Sequence, residues 1–220
     1  MNLTELKFID IDNGTNRGSS LSFDRLVHID DSNRNLQSYY FNGTDFHTLG
    51  SSLNIPGSGR ITITKLSDNV IAFFDNISDE LRAYQFTGSW FQIGSSLTIS
   101  GAGVAAMAQL EDNLIAFFDS SNDLLSTYSW NGANFNLIGN TLSITPSNGL
   151  AMTSLNSSTL AAFEGTTNEL RTYSWDGSDW TIEGNQLIIA NAGDTAMTAI
   201  DSNRISWIDS FNDDLRALGS

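Results

Sequence analysis

Residues Leu170 to Trp180 read LRTYSWDGSDW, and this stretch decides the fold because it recurs along the chain. Earlier copies begin at Leu36, Leu81 and Leu125, and a shortened copy, LRALGS, begins at Leu215. Successive copies are therefore 45, 44, 45 and 45 residues apart. A fixed period of this length indicates one supersecondary unit that is used several times. The chain is a tandem repeat.

Each repeat divides into four strand-sized segments. The first is a run of small residues, and the second is a continuous apolar run such as LIAFFD from Leu114, which we expect to be buried on both faces. The third is LRTYSW itself, where alternation places Arg171, Tyr173 and Trp175 on one face. An Asn-Gly or Asp-Gly turn leads to the fourth segment, which contains an aromatic residue and then a glycine. Four short antiparallel strands in about 45 residues predict a β-propeller blade.

The two ends of the chain together complete a fifth repeat. In the repeat register, Ser220 aligns with Trp175 and Met1 aligns with Trp180. We therefore predict one all-β domain, residues 1–220, folded as a five-bladed propeller with four antiparallel strands per blade. Residues 1–11 are expected to form the outer strand of the last blade and to close the ring, because closed β architectures leave no broken edge.

The composition argues against several classes of partner. There are 25 acidic and 10 basic residues, a formal net charge of -15, so we expect neither nucleic acid nor an anionic membrane to bind. No cysteine is present, which excludes disulfides and thiolate metal sites. Neither a signal peptide nor an apolar stretch of membrane-spanning length is evident. We therefore expect synthesis in the cytoplasm and no membrane insertion, and the site of action stays open, with a virion or cell surface as one candidate.

The Arg, Tyr and Trp face of the third strand is the first candidate binding surface. Aromatic rings can pack on the C–H groups of a sugar while a planar guanidinium donates to its hydroxyls. The alternative is that the aromatic rings pack blade against blade and the arginines stack on them. The candidates are Arg82, Arg171, Arg216, Tyr84, Tyr128, Tyr173, Trp130, Trp175 and, from the fourth strand, Trp180.

A column of carboxylates at the end of the second strand is the second candidate. These carboxylates could accept hydrogen bonds from sugar hydroxyls or pair with an arginine of the neighbouring strand. They could equally accept backbone N–H groups within the following turn, which is the role we favour. The candidate carboxylates are Asp75, Asp119, Glu164 and Asp209.

Catalytic patterns are missing from the sequence. Its two histidines, His28 and His47, belong to no Ser-His-Asp spacing, and no phosphate-binding glycine loop is present. The innermost strands lack the paired carboxylates that a propeller glycosidase would need. We expect neither enzyme activity, nor a cofactor, nor a bound metal ion.

The buried strand, acidic turn and LRTYSWDGSDW segment together resemble the repeats of propeller lectins of the Aleuria fucose-lectin and Photorhabdus lectin types. Blade number and repeat length are similar to those of tachylectin-2-type lectins, which bind N-acetyl sugars. The resemblance implies a non-catalytic, multivalent lectin that binds glycans between neighbouring blades through Trp, Arg and acidic side chains. Gln37 and Ser126 replace the arginine in two repeats, so five equal sites are not expected.

A second hypothesis gives the same fold a different function. The chain would be a structural or adhesion module without a small-molecule ligand, for example a decoration or fibre component of a virion. Such a module would recognise a protein partner or associate with itself. Its aromatic and arginine side chains would be buried, whereas a lectin would expose them in notches between blades.

Overall fold

A computed structural model describes residues 17–22, 25–30, 33–56, 59–144, 150–189, 195–209 and 214–219. All regular elements in these residues are β-strands. They form five separate antiparallel sheets in which strands follow one another in chain order. The sheets are the five blades of a β-propeller, which confirms the predicted fold class. Within the described ranges, no helix is long and apolar enough to span a membrane.

Four blades have four strands, and the described part of the fifth has three. Blade 1 comprises β1 (Arg17–Ser22), β2 (Arg25–Asp30), β3 (Asn35–Phe41) and β4 (Phe46–Asn54). Blade 2 comprises β5 (Ile61–Ser67), β6 (Val70–Asp75), β7 (Glu80–Phe86) and β8 (Trp90–Thr98). Blade 3 comprises β9 (Ala105–Glu111), β10 (Leu114–Asp119), β11 (Leu124–Trp130) and β12 (Phe135–Ser143). Blade 4 comprises β13 (Leu150–Asn156), β14 (Thr159–Glu164), β15 (Glu169–Trp175) and β16 (Trp180–Ile188). Blade 5 comprises β17 (Thr195–Asp201), β18 (Arg204–Asp209) and β19 (Asp214–Gly219).

The outer strand of blade 5, which the sequence predicts at residues 1–11, lies outside the described residues. The first strands of successive blades contact one another from β1 through β5, β9 and β13 to β17. The second strands β6 and β10 are buried at every position, as their continuous apolar sequence predicts. Each blade is thus a meander that starts in the interior and ends at the rim.

The hydrophobic core lies between the blades. Between blades 1 and 2, for example, Val27 and Leu36 of blade 1 pack with Phe73 and Tyr84 of blade 2. Comparable clusters join blades 2 and 3, blades 3 and 4, and blades 4 and 5. Full burial of one such large side chain contributes about 1.5–3 kcal/mol. In blades 2, 3 and 4, the Tyr face of the third strand therefore lies against the preceding blade.

The recurring glycine of the fourth strand lets neighbouring blades approach closely. Gly50, Gly94 and Gly139 have φ values of 66°, 61° and 63°, a conformation that glycine adopts without strain. The next residue then donates its backbone N–H to the hairpin turn of the following blade. These bonds join Ser51 to the Gly88 carbonyl (3.1 Å), Ser95 to Ala133 (2.8 Å) and Asn140 to Ser178 (2.7 Å).

The aromatic residue that begins the fourth strand is matched to the third strand of the preceding blade. Where it is tryptophan, its buried indole N–H donates to a serine or threonine hydroxyl. In blade 3 the aromatic residue is phenylalanine, which has no N–H to satisfy, and the equivalent position of the preceding blade is alanine. A buried donor needs an acceptor, so each combination leaves no buried N–H without a partner. The tryptophan pairs are Trp90 with Ser38 (2.9 Å) and Trp180 with Thr127 (2.8 Å), and Phe135 lies in the same core cluster as Ala83.

Candidate functional site

A notch between blades 1 and 2 contains a cavity of about 500 Å³. One wall is the end of β4 and the two residues after it, Leu53 to Pro56. The opposite wall comes from β7 and β8. Because residues two apart on a strand share a face, Glu80, Arg82 and Tyr84 point the same way. The β8 residues that complete this wall are Trp90, Phe91, Gln92 and Ser96.

An ion pair between Glu80 and Arg82 forms the charged part of this wall. Arg82 Nε donates to Glu80 Oε2 at 2.9 Å, and Nη2 contacts the same oxygen. Ser96 Oγ donates to Glu80 Oε1 at 3.2 Å. The two side chains are 17% and 29% exposed, for Arg82 and Glu80 respectively, so both remain accessible from the notch. A strong donor and a strong acceptor are thus held side by side.

The protonation states of this pair follow from their contact. The hydrogen bond from Arg82 lowers the pKa of Glu80 below its ordinary value of 4.5, although burial opposes this shift. Burial lowers the pKa of Arg82, but its hydrogen bonds to Glu80 and Tyr84 raise it overall. Glu80 is therefore an anion and Arg82 a cation at neutral pH.

Tyr84 is a buried, uncharged side chain beneath the ion pair. It is 4% exposed, and its ring packs edge-on against Phe73 with centroids 5.4 Å apart. Burial raises the pKa of the Tyr84 phenol, which therefore stays neutral. The wall thus offers a charged pair above a mostly apolar base.

The second notch, at the interface between blades 3 and 4, repeats the ion pair but has different groups around it. Arg171 Nε donates to Glu169 Oε2 at 2.9 Å, as in blade 2. Tyr173 donates its hydroxyl to Glu164 Oε1 at 2.7 Å, and Arg171 Nε lies 3.9 Å from that oxygen. Ala162 replaces the phenylalanine of blades 2 and 3, and glutamate replaces their aspartate. Burial and the bond to Glu164 raise the pKa of Tyr173.

The remaining blades have other side chains at the arginine position. In blade 1, Gln37 Nε2 donates to the Leu49 carbonyl at 3.2 Å and to its neighbour's carbonyl at 2.8 Å. In blade 3 the position is Ser126, which is buried. In blade 5 it is Arg216, which is partly exposed on β19. The described structure therefore brings a carboxylate and an arginine together in two notches, and blade 5 supplies a third arginine.

The predicted aromatic candidates lie at blade interfaces. Trp130, Trp175 and Trp180 are each 5% exposed, and Tyr128 is 7% exposed. The Trp175 and Trp180 rings contact each other with centroids 5.2 Å apart. This packing matches the alternative raised for these residues from the sequence. Their contact with a ligand stays a prediction, and the arginines with their paired glutamates offer the accessible polar atoms.

The carboxylate column is buried at the positions that the structure describes. Asp75 Oδ1 accepts the Ile77 N–H at 3.0 Å, and Asp119 Oδ1 accepts the Ser121 N–H at 2.9 Å. These bonds give both residues a role in their turns, whereas Glu164 binds the Tyr173 hydroxyl. The Asp209 side chain lies outside the described part. Among the described residues, no group of three or more His, Asp or Glu side chains could hold a metal ion.

Sequence reasoning missed Glu80 and Glu169, the carboxylates that bind the two arginines. The signal was present in the third-strand sequence ELR, because the glutamate lies two residues before the arginine and therefore on its face. The glutamate precedes the leucine that begins the repeat motif and therefore falls outside it. Gln92 and Ser96 were also missed, because the recurring features of the fourth strand are its aromatic residue and its glycine, whereas these two positions vary between repeats.

No protein-family profile matches the sequence, and no curated protein matches it either. Solved structures do resemble it. SapL1 lectin, solved in complex with α-methyl fucoside, has a TM-score of 0.65 and 15% identity over 93% of this chain and 76% of its own. The fungal lectin of Aleuria aurantia, a six-bladed propeller with a novel fucose recognition mode, has a TM-score of 0.61 and 14% identity over 92% of this chain and 73% of its own. A protein from Lactobacillus plantarum has a TM-score of 0.67 and 13% identity over 92% of this chain and 66% of its own. At this level of identity the likenesses establish the fold alone, a β-propeller like that of the Aleuria aurantia lectin.

Proposed function

We propose that this propeller binds carbohydrate without catalysis, in the notches where a carboxylate and an arginine lie two residues apart on the third strand. The observation that carries the proposal is the Glu80–Arg82 pair on the wall of a cavity of about 500 Å³. A sugar ring presents hydroxyls that both donate and accept hydrogen bonds. The guanidinium supplies only donors and the carboxylate only acceptors, so together they match a pair of adjacent hydroxyls.

The opposite wall of the notch supports the same ligand class. Leu53, Ile55 and Pro56 present apolar groups across from the ion pair. Small-molecule sites are commonly concave, mostly apolar and of about 300–1,000 Å³, with a few placed polar groups. A sugar with polar and apolar edges fits such a cavity. Because two structural neighbours are described with fucose or a fucoside, α-methyl fucoside is the first ligand to test.

Several weak sites on one ring would act together. The notches of blades 2 and 4 have the same ion pair, and Arg216 supplies a third candidate in blade 5. Binding of one notch to a clustered glycan raises the effective concentration of the next, which increases overall affinity without new contacts. We therefore propose that the biological target is a glycan-coated surface rather than a free sugar.

Removal of either notch arginine should abolish one binding site. Arg82→Ala and Arg171→Ala each remove charge-assisted hydrogen bonds worth about 1.5–3 kcal/mol, a loss of roughly 10- to 100-fold in affinity at that notch. Calorimetric titration with α-methyl fucoside should then show fewer sites per chain. The control is Arg204→Ala, which removes the same charge and an exposed Arg–Asp pair outside these two notches. Unchanged binding by both notch variants would contradict the proposal.

Binding should be insensitive to mild acid. Because the pKa of Glu80 is lowered, the carboxylate stays ionised above its ordinary value of 4.5 and is protonated only as the pH falls below it. Affinity should thus be constant from neutral pH to about pH 5 and decline at lower pH, where the acceptor is lost. Titrations across this range test the expectation. A decline centred near pH 6.5 would instead indicate a histidine.

The burial of the aromatic candidates favours the second hypothesis, a structural or adhesion module. In that case the notch arginines would serve only to pair with their glutamates. A glycan array separates the two functions because it samples many sugars at once. Failure of the folded protein to bind any glycan would favour the structural module and direct attention to a protein partner.

A further inference from the structure

The two arginine notches differ at several positions, and one of these, on the fourth strand, lies directly opposite the buried tyrosine. Tyr84 pairs in register with Gln92, and Tyr173 pairs with Ile182. Directly opposite residues on antiparallel strands point to the same face, so each of these side chains lies on the face of its Glu–Arg pair. Gln92 lines the cavity between blades 1 and 2. Ile182 is 52% exposed.

We infer that this position determines the specificity of each notch: Gln92 selects a ligand with a polar substituent, and Ile182 selects one with an apolar substituent. The inference rests on the proposed function. A glutamine amide can both donate to and accept from a hydroxyl or acetamido group, whereas an isoleucine can do neither. A sugar hydroxyl that is desolvated against Ile182 has no hydrogen-bond partner there, whereas a sugar methyl group at the same place buries apolar surface.

Two features make this position a determinant rather than a structural residue. Both notches have a glutamate, an arginine, a buried tyrosine and a tryptophan beside it, although the residue paired with the arginine on the second strand is Phe73 in blade 2 and Ala162 in blade 4. The side chain itself is exposed in all four blades that have the strand described, and it varies without a pattern that the core would require. The residues at this position are Thr48, Gln92, Leu137 and Ile182. A substitution at this position should therefore change which ligand the notch prefers and leave the fold intact.

The consequence is a binding ring with two specificities. Blades 1 and 2 would hold a sugar with a hydroxymethyl or acetamido group at the rim of the notch. Blades 3 and 4 would hold one with a methyl group there. A surface that displays both kinds of sugar would then be bound more tightly than a surface that displays either alone, because both notches contribute.

The test uses full-length chains in which one notch remains active. Arg171→Ala with Arg216→Ala keeps the blade 2 notch, and Arg82→Ala with Arg216→Ala keeps the blade 4 notch. Each of these two single-notch proteins is applied to a glycan array in three forms: without further change, with Gln92→Ile, and with Ile182→Gln. In the protein that keeps the blade 2 notch, Ile182→Gln is the matched control, and in the protein that keeps the blade 4 notch, Gln92→Ile is the matched control. Thermal unfolding of every variant confirms that the fold is retained.

We expect the blade 2 notch to favour glycans with the polar group and the blade 4 notch to favour those with the methyl group, by about fivefold to tenfold. Gln92→Ile should convert the first preference into the second, and Ile182→Gln the reverse. Equal preferences in the two notches, or preferences that follow neither substitution, would overturn the inference. Binding by neither single-notch protein, when wild type also fails to bind, would refute the proposed function instead.

Discussion

Gly139→Ala is expected to destabilise the propeller by about 3 kcal/mol or more. The glycine has a φ of 63°, in the left-handed region that side chains disfavour. An added Cβ would lie 2.7 Å from the Ser178 carbonyl carbon and even closer to its oxygen and to the Trp175 ring. The carbonyl and the ring belong to the next blade, so relief requires blades 3 and 4 to separate. The bond from Asn140 to the Ser178 carbonyl would be lost with that movement.

Gly132→Ala in the same blade is the control that separates the cost of the backbone conformation from the cost of the clash between the added Cβ and the next blade. Gly132 has a φ of 93°, but a Cβ there would meet no atom within 4 Å. The control should therefore cost only about 1 kcal/mol, the penalty of the backbone conformation. Urea unfolding of both variants beside wild type measures the difference. Equal losses would mean that the glycine is needed for its backbone conformation alone and not for contact between blades.

Removal of the Trp180 side chain should have the second largest effect. Trp180 is 5% exposed, packs on Trp175, and donates to Thr127 of the preceding blade. Truncation of a buried tryptophan to alanine typically costs about 3–5 kcal/mol. Trp180→Ala should therefore unfold at much lower urea concentration than wild type. A loss below about 1 kcal/mol would show that the indole is not part of the core.

A double-mutant cycle tests the match between blades within the same site. Thr127→Ala leaves the buried indole N–H without its acceptor, which costs about 1–3 kcal/mol. Trp180→Phe removes that donor, so Thr127→Ala should cost clearly less in the Trp180→Phe background. The double variant reproduces the natural pair of Phe135 with Ala83. Additive losses, with no coupling between the two positions, would contradict the pairing rule.

The fold could be predicted from the sequence because its signals are local and repeated. The alternation in LRTYSW, the turn Asp176-Gly177 and the apolar run of the second strand each specify a strand or a turn within one repeat. Repetition at a fixed interval then identifies the blade and the number of blades. The recurring glycine of the fourth strand is also visible in the sequence, but the reason for it is not. That cause is the approach of a hairpin from the following blade, which no single repeat contains.

The roles of the site residues were harder to predict for a physical reason. Strand alternation tells which side chains share a face, but it does not tell whether a neighbouring blade covers that face. Trp180 and Thr127 are 53 residues apart, and only the packing of the blades makes them partners. The sequence therefore does not show that the aromatic candidates are covered. The Glu80–Arg82 pair, by contrast, follows from alternation within one strand and was within reach of sequence reasoning.

The most direct test of the account is a crystal structure of the protein soaked in α-methyl fucoside. The account predicts the sugar in the notches of blades 2 and 4, with hydroxyls within hydrogen-bond distance of Arg82 and Glu80 and of Arg171 and Glu169. The notch before blade 3, where Ser126 replaces the arginine, should be empty. Sugar bound only at places other than these arginine notches and Arg216, or no sugar in either arginine notch at a concentration that saturates binding in solution, would contradict the central claim.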